Sequence, residues 1–182
     1  MIVLMVSAIV IALIEDLRRQ KIPNLVTFPT MALALAYHTL AAGLHGLLFS
    51  AGGLALGLLL FIIPYLMGGM GAGDVKLMAA LGAIFGPKGI VVASLIVVLA
   101  GGLYGLVLMA LNPRYTGAFL KRLGLTLKTF VLTLQFIPIP PAAEENRPIL
   151  KFAVPIAVGA LGYMYTKMIG YDVFSELLGV AL

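Results

Sequence analysis

Asp74 is a carboxylate set among hydrocarbon. It lies in the run Gly68-Gly69-Met70-Gly71-Ala72-Gly73-Asp74-Val75-Lys76, between two long apolar stretches. An ionisable residue at membrane depth is expensive, so by default it marks a functional site and asks for a partner. Four glycines in the six residues before it raise the backbone cost of a helix and remove every Cβ that would hold another chain away. The other aspartate flanked by apolar helix on the same predicted side is Asp16. Two carboxylates with a glycine-lined approach through Gly71 and Gly73 are the parts of an aspartyl protease. The plainer reading is a membrane loop with packing glycines and an acid that ends it.

Two carboxylates close together cannot both ionise cheaply, so they share a proton and titrate as a pair. The ionised one can take a proton from water while the protonated one polarises a peptide carbonyl. This chemistry needs no metal, no cofactor and no covalent intermediate. Lys76 is grouped with the substrate approach, but two residues from Asp74 is a poor helical contact spacing, and its role stays open. Glu15 rivals Asp16. Adjacent helical residues point about 100° apart, so only one can face Asp74 well, and spacing does not choose. His38 and His45 have no third plausible ligand nearby, and cysteine is absent, which leaves no thiolate nucleophile and no disulfide framework.

The elements that must position these acids are apolar helices. The chain of 182 residues is 62% hydrophobic and 10% charged, against roughly a quarter charged in soluble domains. It reads as an integral membrane protein, one compact all-α bundle over residues 1–182. The net charge of +5 reports topology, and nothing supports a nucleic-acid partner; the lipid bilayer is the expected surroundings. Met1 to Leu17 is a first, uncleaved span, because its basic cluster follows the apolar run. Ile22-Pro23-Asn24 restarts the chain, with Asn24 suited to cap the next helix.

Further spans are expected over 25–42, with a kink at Pro29, and over 47–66. A tight turn at Gly43–Gly46 separates them. A short span over 75–85 follows the glycine stretch and ends at Gly86-Pro87-Lys88-Gly89; a fifth runs over 90–111 and a sixth over 152–169. The glycines of the third span and Gly101, Gly102 and Gly105 suit close helix packing. Residues 113–150 form a cytoplasmic loop whose apolar and basic positions alternate at helical spacing, an amphipathic helix lying in the interface. Glu144, Glu145, Asp172 and Glu176 read as solvated residues. Six spans put both chain termini outside, and of the twelve basic residues only Lys88 and Lys167 fall on the outer side. The positive-inside rule then sets Asp16 and Asp74 at the cytoplasmic face of a multi-pass plasma-membrane protein.

The stretch Gly71-Ala72-Gly73-Asp74-Val75-Lys76 resembles the GxGD motif of the type IV prepilin peptidases and archaeal preflagellin peptidases. Leu77-Met78-Ala79-Ala80-Leu81-Gly82 continues the likeness, and Asp16 followed by Ile22-Pro23-Asn24 resembles the family's first-aspartate region, which favours Asp16 over Glu15. The resemblance implies a GxGD-protease-like bundle cutting prepilin-like or preflagellin-like precursors after a short basic leader that ends in glycine. Many bacterial members carry an additional cysteine-containing cytoplasmic domain and a methyltransferase activity. This chain, without cysteine, looks like the short peptidase-only branch. Two other readings stand beside it: an ion-coupled transporter, whose broken helices also carry acids, and an inactive scaffold that binds pilin-like helices.

Overall fold

The computed structural model describes residues 1–66, 69–113, 116–117, 121, 124–126, 128–129 and 151–170. These residues are helical, with no strand among them. Four helices follow in order: α1 (Ile2–Arg19), α2 (Asn24–Leu66), α3 (Ala72–Leu111) and α4 (Ala153–Met168). The described chain falls into two units, one of Met1–Gly101 with the segment from Lys151 onward, the other Gly102–Leu150.

The two long helices are each interrupted once. In α2 the non-helical dihedrals lie at Ala42 and Gly43 (φ 58°), and in α3 at Gly86 (φ 72°). Both glycines take a left-handed φ that a side chain resists. Pro87 then opens the second arm of α3, where a missing N–H costs nothing. Pro29 sits inside α2, whose non-helical dihedrals lie at Ala42 and Gly43. The expected turn over Gly43–Gly46 is correspondingly shorter, with Gly46 already packed on the His38 carbonyl.

The arms alternate in direction. Residues 44–66 lie antiparallel to 72–85, since Ser50 Oγ donates to the Ala83 carbonyl at 2.8 Å, while Gly57 meets Met78. Between these contacts Gly53 and Gly82 stack backbone on backbone; a Cβ on either would land on the other's carbonyl oxygen. Residues 87–101 run antiparallel to α4, with Gly101 beside Phe152 and Pro155, and Gly159 against Ala93 and Val97. Helix α1 packs on both α2 and α4. One end of the bundle therefore collects the C-terminus of α1 and the N-termini of α2, α3 and α4. The breaks at Gly43 and Gly86 lie at the other end.

Helices α2 and α3 are each long and apolar enough to cross a membrane. Only 28% of the most apolar window of each is buried, the reverse of a soluble core helix, and Leu40, Leu44, Leu66 and Leu99 are among the exposed leucines. An apolar exterior of this size fits lipid. Lipid tails offer no hydrophobic drive for helices to associate, so close contact between small residues has to hold them together. Gly53→Ala should therefore destabilise the detergent-solubilised chain by about 1–3 kcal/mol through overpacking. Gly101, expected to be a packing glycine, has its nearest neighbours 3.6 Å from an added Cβ, an ordinary contact. Gly101→Ala should leave the melting temperature unchanged, in contrast to Gly53→Ala.

In the second unit α3 ends at Leu111, and Asn112 Nδ2 turns back to donate to the Leu108 carbonyl at 2.9 Å. Thr129 Oγ1 bonds the Leu125 carbonyl within a helical stretch. Most of the interfacial helix expected over 113–150 lies outside the described residues. So do Glu144, Glu145, Asp172 and Glu176.

Candidate active site

Asp16 lies in the last turn of α1, which ends when Gln20 takes a left-handed conformation (φ 54°) and returns its N–H to the Asp16 carbonyl. That conformation costs a residue with a side chain about 1 kcal/mol. It turns the chain at once into Lys21-Ile22-Pro23 and the start of α2. Asp16 Oδ2 accepts a hydrogen bond from the backbone N–H of Ala153, the first residue of α4, at 3.3 Å. Lys151 reaches the Leu17 carbonyl at 3.2 Å, so the start of α4 is tied to α1 at Asp16 and at the residue after it.

Asp74 sits in the first turn of α3. Its Oδ2 accepts the Gly71 N–H at 3.0 Å, the half of a capping box in which the third helical residue reaches back to the cap. Capping accounts for one oxygen. Oδ1 is buried and has no hydrogen-bond partner among the described residues. Buried polar atoms are nearly always satisfied, and an unsatisfied one calls for a reason such as chemistry.

Both acids are only 7% exposed and line one cavity of about 320 Å³, with Gln20, Lys21, Ile22 and Asn24 on one wall and residues 71–74 and Lys76 on the other. Asp16 is close enough to act electrostatically on Asp74. Glu15 instead pairs with Arg19 at 3.4 Å, in the half-exposed manner of an ordinary helix-surface ion pair. Asp16 lines the cavity with Asp74, and Glu15 is not among the lining residues. His38 is elsewhere, its Nε2 3.3 Å from the Ile84 carbonyl near the breaks.

Gly73 is helical with a negative φ, and the space its Cβ would fill is occupied by Ile22 of the same chain. Its bareness admits the α1–α2 connection, and Gly73 lines the cavity beside Asp74. Gly71 lies where a Cβ would touch Asp74 Oδ2. Lys76 Nζ donates to Asn24 Oδ1 at 2.9 Å and stands 5.3 Å from the centre of the Phe28 ring. The Asn24 oxygen expected to cap α2 is thus engaged by α3. Asn24, Ile22 and the Ala153 amide carried no sequence signal of this role, since their partners are distant in the chain or are backbone atoms.

An apolar helical chain with two buried carboxylates on one cavity is the class of protein that fold and site define together. The sequence comparisons make it specific. The chain belongs to the type IV leader peptidase family, whose sequence profile matches residues 2–106, both aspartates included. It is 36% identical over 106 residues to the prepilin leader peptidase/N-methyltransferase of Bacillus subtilis (strain 168). That match covers 57% of this chain and 42% of the relative, less than half of its length. No solved structure matches the chain.

Proposed function

We propose that the chain is a membrane aspartyl endopeptidase that removes the short basic leader from type IV prepilin-like or preflagellin-like precursors at the cytoplasmic membrane face. The observation that carries this reading is the pair of buried carboxylates on one polar cavity, one of them with an unpartnered oxygen. A dyad holding one proton between its members activates water with the ionised carboxylate. The protonated one hydrogen-bonds the scissile carbonyl oxygen. Water oxygen bonds to the carbonyl carbon, its proton passing to the base and the acid's proton to the carbonyl oxygen. Collapse breaks the C–N bond: the departing amine takes the base's proton, a hydroxyl of the tetrahedral intermediate gives its proton to the other carboxylate, and the dyad again holds one proton.

The alternating arms support six crossings in one peptidase domain. At 43 and 40 residues, α2 and α3 would each be about 60 Å long if straight, twice a bilayer's hydrocarbon core of about 30 Å. Helix α2 breaks near its middle, at Gly43, and α3 about a third of the way along, at Gly86. Arg18, Arg19, Lys21, Lys76 and Lys151 gather at the end that carries the acids, and Lys88 and Lys167 lie toward the other, the distribution the positive-inside rule assigns to a cytoplasmic site with the N-terminus outside. A reporter inserted after Lys21 or Lys76 should read cytoplasmic and one after Lys88 external. A reversed pattern would move the site to the opposite face. The activity itself is tested by co-expressing a prepilin-like precursor and following its gel shift, which should be present with the native chain and lost with Asp74→Asn.

A further inference from the structure

The proposed chemistry uses Asp16 and Asp74 but leaves the lysine two residues beyond Asp74 without a task. Two contacts on the first turn of α3 meet the α1–α2 connection on either side of Asp74. At Gly73 the missing Cβ lets Ile22 approach, its backbone N and O lying 3.2 and 3.3 Å from where that Cβ would be. At Lys76 the ammonium bonds Asn24 Oδ1 at 2.9 Å, with the Phe28 ring beneath it. The same connection begins on Asp16, whose carbonyl accepts the Gln20 N–H at 3.0 Å. Only residues 17–21 separate Asp16 from Ile22, so a shift at the connection is felt at Asp16.

We infer that Lys76 is a positioning residue: through Asn24 it clasps the α1–α2 connection to the first turn of α3 and sets how Asp16 faces Asp74. This rests on the proposed dyad. The Lys76–Asn24 bond is solvent-exposed, where such contacts add little to stability. A misplacement of about 1 Å at reacting groups can nevertheless cost about 10²-fold in rate. The clasp should therefore matter far more to turnover than to folding. An ammonium that served only to bind precursor would act on KM, and one that served only to tune the acids would act through its charge.

The test uses the full chain in detergent micelles with a synthetic precursor of basic leader, glycine and apolar helix. Lys76→Met and Asn24→Ala should each lower kcat about 10–100-fold with KM within about 3-fold and an unchanged melting temperature. The double variant should be no worse than either single one, because both remove the same contact. Lys76→Arg, which keeps a charged donor, should restore most of the activity. The limbs of the pH–rate profile should move alike in Lys76→Met and Asn24→Ala, because both loosen the coupling of the two acids. Losses that multiply in the double variant, or a pH limb that moves for Lys76→Met but not for Asn24→Ala, would overturn the inference. If Lys76→Met fails to fold, Asn24→Ala with its pH profile carries the decision.

A second readout needs no activity. The chain has no cysteine, so Asp16→Cys with Asp74→Cys gives a clean pair for a short thiol cross-linker. Cross-linking should fall several-fold when Lys76→Met or Asn24→Ala is added, and an unchanged yield would contradict the clasp. Active Asp16→Asn or Asp74→Asn enzymes would instead bring down the dyad reading, leaving cross-linking to judge the clasp alone.

Discussion

Asp74→Asn should lower the cleavage rate of a saturating precursor by about 10³-fold or more, and Asp16→Asn should do the same. A single acid–base group contributes roughly 10²–10⁴-fold, and members of a unit that share a proton fail together. Both variants should fold. An asparagine at position 74 still offers an oxygen to the Gly71 N–H, and one at position 16 still offers an oxygen to the Ala153 N–H. Glu15→Gln removes only a surface pair with Arg19 and should stay within about 2-fold of the native rate. Rates measured with purified variants of matched melting temperature check all three. An inactive Glu15→Gln beside an active Asp16→Asn would transfer the first acid to Glu15.

Gly73→Val carries the second large effect, and the structure changes its reason. The sequence suggested glycine as an opening for substrate. Gly73 has ordinary helical dihedrals, and the obstacle is Ile22, whose Cβ lies 2.9 Å from the position of an added Cβ. Below 3.0 Å something must shift, and Ile22 backbone atoms at 3.2 and 3.3 Å cannot swing aside as a side-chain tip could. The connection from Gln20 to Asn24 has to move off α3, taking the Lys76 contact and the placement of Asp16 with it. A loss of about 10²-fold or more in kcat is expected from displacement on this scale, with the helical bundle retained. The measurement is turnover alongside the folded fraction in detergent. Native turnover by Gly73→Val would show that the close approach to Ile22 does not set the geometry.

That Asp16 and Asp74 would lie together was legible in the sequence, from the two apolar crossings between them and the positive-inside bias. The helical class followed in the same way from uninterrupted apolar runs between glycine, proline and basic clusters. The breaks at Gly43 and Gly86 were legible too, each glycine standing where an apolar run is twice too long for one crossing. Gly101 misled: composition marks a small residue but not what stands opposite it. Gly53 and Gly82 face each other, whereas an added Cβ at Gly101 would meet Phe152 and Pro155 at ordinary contact distance. Which of Glu15 and Asp16 lines the cavity depended on the rotation of α1. The Lys76–Asn24 contact joins residues 52 apart, a pairing that no local spacing encodes.

The central claim is that Asp16 and Asp74 together hydrolyse a leader peptide, and mass spectrometry of products from the purified chain in a bilayer tests it most directly. The precursor carries a short basic leader, a glycine and an apolar helix. The account predicts two fragments divided after that glycine, formed by the native chain and absent with Asp16→Asn and Asp74→Asn. Fragments that persist undiminished in the double aspartate variant, or an intact precursor after prolonged incubation with the folded native chain, would contradict it.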